Sequence, residues 1–253
     1  VRVAALYDIH GNLPALEAVL GEVREAEVDQ IVIGGDVLPG PMVRETLGRL
    51  FGLDIAVLPI QGNCEVAVLA ELEGRDLEPM PDSARAAIRW SAEVIGPHGV
   101  ERISTWPKTR TLQIPGVGSV LFCHGTPRHE NEIFTRKTPA KRLAPVFRDV
   151  ATSVVVCGHT HMQFDRMVGG VRVLNAGSVG MPFGRPGADW LLLGPDAELR
   201  HTNYDLMDAA DRIRRTDYPQ AEEFAAHYVL APPSEAQMLE AFGRAELRYS
   251  PGA

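Results

Sequence analysis

Five short segments of this chain place carboxylate, imidazole or carboxamide side chains beside glycine at the ends of apolar runs. They are Asp8-Ile9-His10-Gly11-Asn12, Gly34-Gly35-Asp36, Gln61-Gly62-Asn63-Cys64, Cys123-His124-Gly125 and Gly158-His159-Thr160-His161. Asp8 and His10 stand two residues apart, as do His159 and His161, so an extended backbone points each pair to one side. Glycines beside Asp36, His124 and His159 permit close backbone approach. Two Asp, four His and the neutral side-chain oxygen of Asn63 form a mixed hard and borderline donor set, better suited to Mn, Fe, Ni or Zn than to calcium. The seven candidate ligands, Asp8, His10, Asp36, Asn63, His124, His159 and His161, suffice for two divalent ions. The charge of two such ions exceeds that of the Asp8 and Asp36 carboxylates. The expected chemistry is in-line attack on phosphorus by a bridging hydroxide, with a phosphate oxygen clamped by the ions. Asp36, lying between the two halves of the set, is the expected bridging carboxylate.

Taken singly, these segments have blander explanations. Asp8, ahead of a helical stretch, reads as a helix cap, and a lone Gly-Asp is uninformative. His159-x-His161 is a stronger metal signal. Five coincidences at five strand ends are needed to explain them all away. Asn12, Cys64 and Arg128 are candidate substrate contacts, although Asn12 also fits a helix cap and Arg128 an exposed loop. Ser178 fits either a residue that orients ligands or a glycine turn. Arg136, Lys137, Lys141 and Arg142 form a basic cluster of the kind that usually marks a solvated face. His98, His201 and His227 fall outside every motif and read as structural.

The elements that must hold these residues follow an α/β pattern. Apolar runs at Val1–Tyr7, Gln30–Ile33 and Ile55–Ile60 alternate with helical stretches at Leu13–Ala26 and Pro41–Phe51, a βαβαβ order that implies parallel strands. Residues 65–105 read as a helical cap or side layer. Five β-like runs follow at Thr109–Ile114, Ser119–Phe122, Ser153–Cys157, Val171–Leu174 and Trp190–Leu193, and they predict a second sheet, with a helix near Pro139–Val150. Residues 1–205 are expected to form one domain, and 206–253 a helical appendage without recognisable chemistry. The formal charge of −8 argues against an extended nucleic-acid surface. No apolar run nears the roughly 18 residues of a membrane span. With no secretory signal and three cysteines outside any disulfide or zinc spacing, a cytoplasmic location is expected.

Together the segments resemble the calcineurin-like metallophosphoesterase superfamily, whose blocks are Asp-x-His, Gly-Asp, Gly-Asn-His-Asp/Glu, a lone His and Gly-His-x-His. Here they stand in the same order as Asp8-Ile-His10, Gly35-Asp36, Gly62-Asn63-Cys64-Glu65, His124 and Gly158-His159-Thr160-His161, followed by Asn175–Gly180 as a closing loop. The resemblance implies a four-layer αββα sandwich of two mixed sheets flanked by helices. It also implies one ion on Asp8, His10, Asp36 and His161 and another on Asp36, Asn63, His124 and His159, with Asp36, Asn63 and His124 catalytic. Mn is the first expectation for both ions, with Fe, Ni, Zn or Mg as alternatives. Cys64 replaces a histidine that many members use for substrate binding or leaving-group protonation, as it does in a subset of bacterial and archaeal phosphodiesterases. The implied activity is phosphodiester hydrolysis of a small phosphate ester or nucleotide. Phosphomonoesterase, protein phosphatase and dinucleoside polyphosphate hydrolase are the alternatives within the class, and a metal-binding scaffold or sensor is the alternative outside it.

Overall fold

The computed structural model describes residues 1–248. Strand β1 (Val3–Leu6) is buried throughout, and its period of two sorts its side chains into two cores. Ala4 and Leu6 join a cluster with the flanking helices, whereas Val3 and Ala5 join a cluster between the sheets. Helix α1 (Leu13–Glu25) begins where Asn12 Oδ1 accepts the Ala15 N–H at 3.2 Å, and Pro14 occupies its first turn. Its buried stripe, Leu13, Leu16, Val19, Leu20 and Val23, covers one face of the first sheet. Strands β2 (Gln30–Ile33) and β3 (Ala56–Pro59) extend that sheet in parallel, with α2 (Val43–Phe51) as the crossover between them.

Helix α3 (Asn63–Leu72) leaves the end of β3, and α4 (Asp82–Ser104) packs against α3 and α2. Gly96, at φ 69°, interrupts α4 just before Pro97, so the segment is two helices across a kink. The second sheet has the order β4 (Thr109–Ile114), β5 (Gly118–Cys123), β6 (Val154–Cys157), β8 (Val171–Asn175) and β7 (Phe164–Val168). Strands β5, β6 and β8 are parallel, with antiparallel neighbours at both edges. Helix α5 (Ala140–Phe147) covers its outer face through Leu143, Val146 and Phe147. With Val120, Phe122, Val156 and Leu174 filling the space between the sheets, the layers run αββα.

One expectation is corrected. The run at Trp190–Leu193 belongs to β9 (Ala188–Leu193), which pairs antiparallel with β1 in the first sheet, not the second. Strand β10 (Ala197–Thr202) pairs beyond it, and neither β7 nor β10 was anticipated. Strand β9 is buried on both faces. Leu191 and Leu193 enter the core between the sheets, and Trp190 and Leu192 the helical side.

The C-terminal segment forms α6 (Leu206–Arg214), α7 (Ala221–Phe224) with a π-helical continuation (Ala225–Leu230), and α8 (Glu235–Gly243). Ala209, Ile213, Phe224 and Val229 pack on Ala87 of α4, and Leu239 packs on Met162 and Phe183. Arg136 pairs with Glu235, and Arg142 Nη1 lies 3.1 Å from Glu246 Oε2, so part of the basic cluster fastens this segment.

Leu191 is fully buried between the sheets. Replacing it with alanine is expected to lower the unfolding free energy by about 2–5 kcal/mol, read as a reduced midpoint in denaturant titration at unchanged slope.

Candidate metal centre

The strand ends of the two sheets meet where Tyr7, just past β1, donates its hydroxyl hydrogen to the Val156 carbonyl of β6 at 3.1 Å. Beyond this link the backbone is not extended. Asp8, His10, Asp36, His159 and His161 have φ of 52°, 47°, 52°, 67° and 56°. The expectation that Asp8/His10 and His159/His161 share a side through extended geometry is therefore corrected, because these residues converge through left-handed turns. Each such residue costs about 1 kcal/mol, and cross-bonding between the loops offsets it. Asp8 N–H donates to Gly35 O at 3.1 Å, His10 N–H to Asp36 O at 3.0 Å and Gly180 N–H to Asp8 O at 3.0 Å. Asp8 Oδ2 also accepts the His159 N–H at 2.9 Å.

All seven predicted ligands come together. His161 Nε2 lies 3.3 Å and His124 Nε2 3.7 Å from Asp8 Oδ1, and His124 Nε2 lies 3.4 Å from Asp36 Oδ2. His10 Nε2 is 3.9 Å from both carboxylates. Asn63 Oδ1 is 3.0 Å from His124 Nε2. Among the described residues three groups of close donor atoms result, Asp8 with His10 and His161, His10 with Asp36 and Cys64, and Asp36 with His124 and His159.

The hydrogen bonds show which ring nitrogens face inward. Nδ1 of His10, His124 and His161 meets the carbonyls of Pro39, Gly34 and Met181 at 3.3, 2.8 and 2.8 Å. A carbonyl only accepts, so each Nδ1 carries a hydrogen, and a neutral ring presents its Nε2 lone pair to the centre. With every ring neutral, acceptors then face acceptors. The Nε2 atoms of His10 and His161 are 3.3 Å apart, and His124 Nε2 faces the Asn63 oxygen. Asp8 Oδ1 and His159 Nε2 are buried without any hydrogen-bond partner. Such contacts repel unless cations lie among them, and the residues present therefore fit divalent ions.

Electrostatics agree. Burial pushes the Asp8 and Asp36 carboxyls up, but the surrounding histidines outweigh it and hold both below the usual range. Burial, with neighbouring histidines, depresses His10 and His159 to about 4. Burial also disfavours charge on His124, yet Asp36 and Asp8 prevail and raise it to about 10. Without metal, protons are drawn onto His124 in place of the missing positive charge.

Other residues build the frame. The fully buried Glu65 carboxylate accepts the N–H groups of Asp36, Val37 and Gly62 at 2.8, 2.8 and 2.7 Å, locking two ligand turns together. Its position three residues after the helix-capping Gly62 was the available signal. A Cβ on Gly62 would stand 2.1 Å from Asp36 Oδ1, so only glycine fits there. Phe183 stacks on His161 with ring centres 5.0 Å apart and planes 14° from parallel, and no sequence signal marked it. Ser178 Oγ donates to Asp8 O at 2.7 Å, which supports a role in orienting the loop.

The three candidate substrate contacts divide. Cys64 lies at the centre, with Sγ 3.0 Å from Asp36 Oδ2, and burial followed by the Asp36 charge pushes its thiol well up. Asn12 is fully buried. It caps α1 and donates to Gly180 O at 2.9 Å, so its polar atoms serve the fold. Arg128 lies in the loop after His124, with Nε 2.7 Å from Glu132 Oε2.

Comparison with known proteins supplies the context. An uncharacterized protein of Methanocaldococcus jannaschii is 26% identical over 243 residues, which is 86% of this chain and 94% of that protein. The crystal structure of a hypothetical protein from Pyrococcus horikoshii superposes with a TM-score of 0.77 at 23% identity, covering 92% of this chain and 99% of the other. That of a metallophosphoesterase from Sphaerobacter thermophilus gives a TM-score of 0.67 at 26% identity, covering 89% and 97%. Residues 1–196 match the model of the calcineurin-like phosphoesterase superfamily domain. On this match, the chain belongs to the calcineurin-like phosphoesterase superfamily.

Proposed function

We propose that this phosphoesterase-family chain hydrolyses phosphodiesters at a two-cation centre. Asp8, His10, Asp36 and His161 hold one ion in this reading, and Asp36, Asn63, His124 and His159 hold the other. The observation that carries it is the set of acceptors facing one another around Asp8 and Asp36, with three histidines anchored through Nδ1 so that Nε2 points inward. When bound, the ions supply Lewis-acid polarisation of a phosphoryl oxygen and acidify water. Mn is the first choice of ion. Asn63 contributes a neutral oxygen where a third carboxylate would cancel more charge, which leaves the centre attractive to an anionic ester. Asp36, shared by the two ligand sets, fixes their separation through the turn that Glu65 locks.

Cys64 sets the leaving-group demand. Its thiol sits 3.0 Å from Asp36 Oδ2, and burial raises its pKa, so it stays neutral and serves neither as a nucleophile nor as an efficient acid. No imidazole at this position can protonate a poor leaving group or take up the second negative charge of a monoester. Both consequences favour diesters with good leaving groups.

Chelator-treated protein is expected to lose hydrolysis of an aryl phosphodiester and to regain it on addition of Mn2+. Asp36→Asn is expected to cost more than the roughly 100-fold typical of losing a ligand's orienting partner. Full activity in that variant, or turnover unaffected by chelation, contradicts the proposal. Cys64→His is expected to raise the rate on poor-leaving-group diesters, relative to good ones, by about 100-fold. An unchanged leaving-group dependence of kcat/KM removes the role given to Cys64.

A further inference from the structure

A cavity of about 460 Å³ opens directly beside the candidate metal centre. Helix α3 starts at Asn63 and Cys64, and the same face of that helix, continued by Ala67 and Ala70, forms one wall. Leu77 and Met80 also line it. The cavity and the centre therefore share Asn63 and Cys64. A phosphorus atom held at the centre would carry its substituents towards this space.

The chemistry of the walls restricts what enters. Beyond Asn63 and Cys64 the α3 wall is apolar through Ala67 and Ala70, and the volume falls in the range of small-molecule sites. The rim is mainly acidic. The exposed Asp76 and Glu78 line it, whereas Glu130 is a buried part of the wall with its Oε1 3.0 Å from Lys108 Nζ. The one rim arginine, Arg75, has its Nε 2.5 Å from Glu73 Oε2. A second phosphate or a carboxylate placed here would meet carboxylates, whereas an uncharged ring or alkyl chain would remove apolar surface from water.

We propose that this cavity receives one ester substituent of the phosphodiester, and that the substituent is uncharged and apolar or aromatic. The proposal rests on the reading of the centre as a phosphate site, and it names the substrate class of that site: diesters with at least one apolar arm rather than polyphosphates.

The test compares three probes with one monoanionic head group, the monomethyl esters of methylphosphonate, phenylphosphonate and 4-carboxyphenylphosphonate, binding to the Mn2+-loaded full chain by calorimetry. The phenyl probe is expected to bind at least about tenfold more tightly than the methyl probe, and the added carboxylate is expected to erase that gain. Ala67→Trp, which fills the cavity, is expected to bring the phenyl-to-methyl ratio close to one. Equal wild-type affinities for the phenyl and methyl probes overturn the proposal while leaving the phosphate site intact. So does tighter binding of the carboxyphenyl probe. Failure of all three to bind removes the phosphate site itself, and the proposal with it. The wild-type ratios decide the matter even where the variant does not fold.

Discussion

Two carboxylates, Asp8 and Asp36, stand within 3.7 Å of a single imidazole nitrogen, that of His124, and all three side chains are buried. Around them, Nε2 of His10 and His161 and the Asn63 oxygen crowd inward, and neutral imidazoles would leave these acceptors facing one another. An assembly of this kind is costly without positive charge, because burial removes the water that would otherwise screen it. The surrounding structure is arranged to hold the assembly in place. The left-handed turns at five candidate ligands are pinned by backbone hydrogen bonds that cross between the strand ends, and Glu65 ties the turn carrying Asp36 to the one carrying Asn63. Backbone strain of this sort persists where the surroundings over-determine it, and it concentrates at functional sites.

Much of this was legible in the sequence because the signals are local. Glycine beside Asp, His or Asn after an apolar run marks a strand end that must turn sharply, and five such turns converge here. The side-chain direction at those turns was not legible. Two-residue spacing was read through extended geometry, whereas Asp8, His10, His159 and His161 adopt positive φ, a choice made by hydrogen bonds to residues far along the chain. Sheet membership failed for a similar reason. Strand β9 carries the same apolar signal as its predecessors, and only its pairing with β1 assigns it to the first sheet. Strands β7 and β10 were missed because Phe164–Val168 and Ala197–Thr202 are edge strands bearing exposed charged residues, a composition that guards edges and weakens the β signal.

The segments that looked chemically silent also bear on the centre. Residues 75–81 and α4 line a cavity that the helix beginning at Asn63 also walls. Helix α8 packs through Leu239 and Phe242 on Phe183, which in turn stacks on His161. Glu246 accepts the hydroxyl of Thr138 at 2.5 Å and lies in ion-pair contact with Arg142, so the C-terminal segment also braces the loop after His124. Among the described residues, no helix is long and apolar enough to cross a membrane. The apolar surface of these helices is spent on packing around the sandwich and its site.

The measurement that bears most directly on the central claim is anomalous diffraction from crystals of the Mn2+-loaded chain, recorded on both sides of the manganese edge. The account predicts two peaks per chain, both within coordinating distance of the Asp36 carboxylate, one also beside Asp8 and His161 and the other beside His124 and His159. A single peak, or peaks away from Asp36, contradicts a shared two-cation centre.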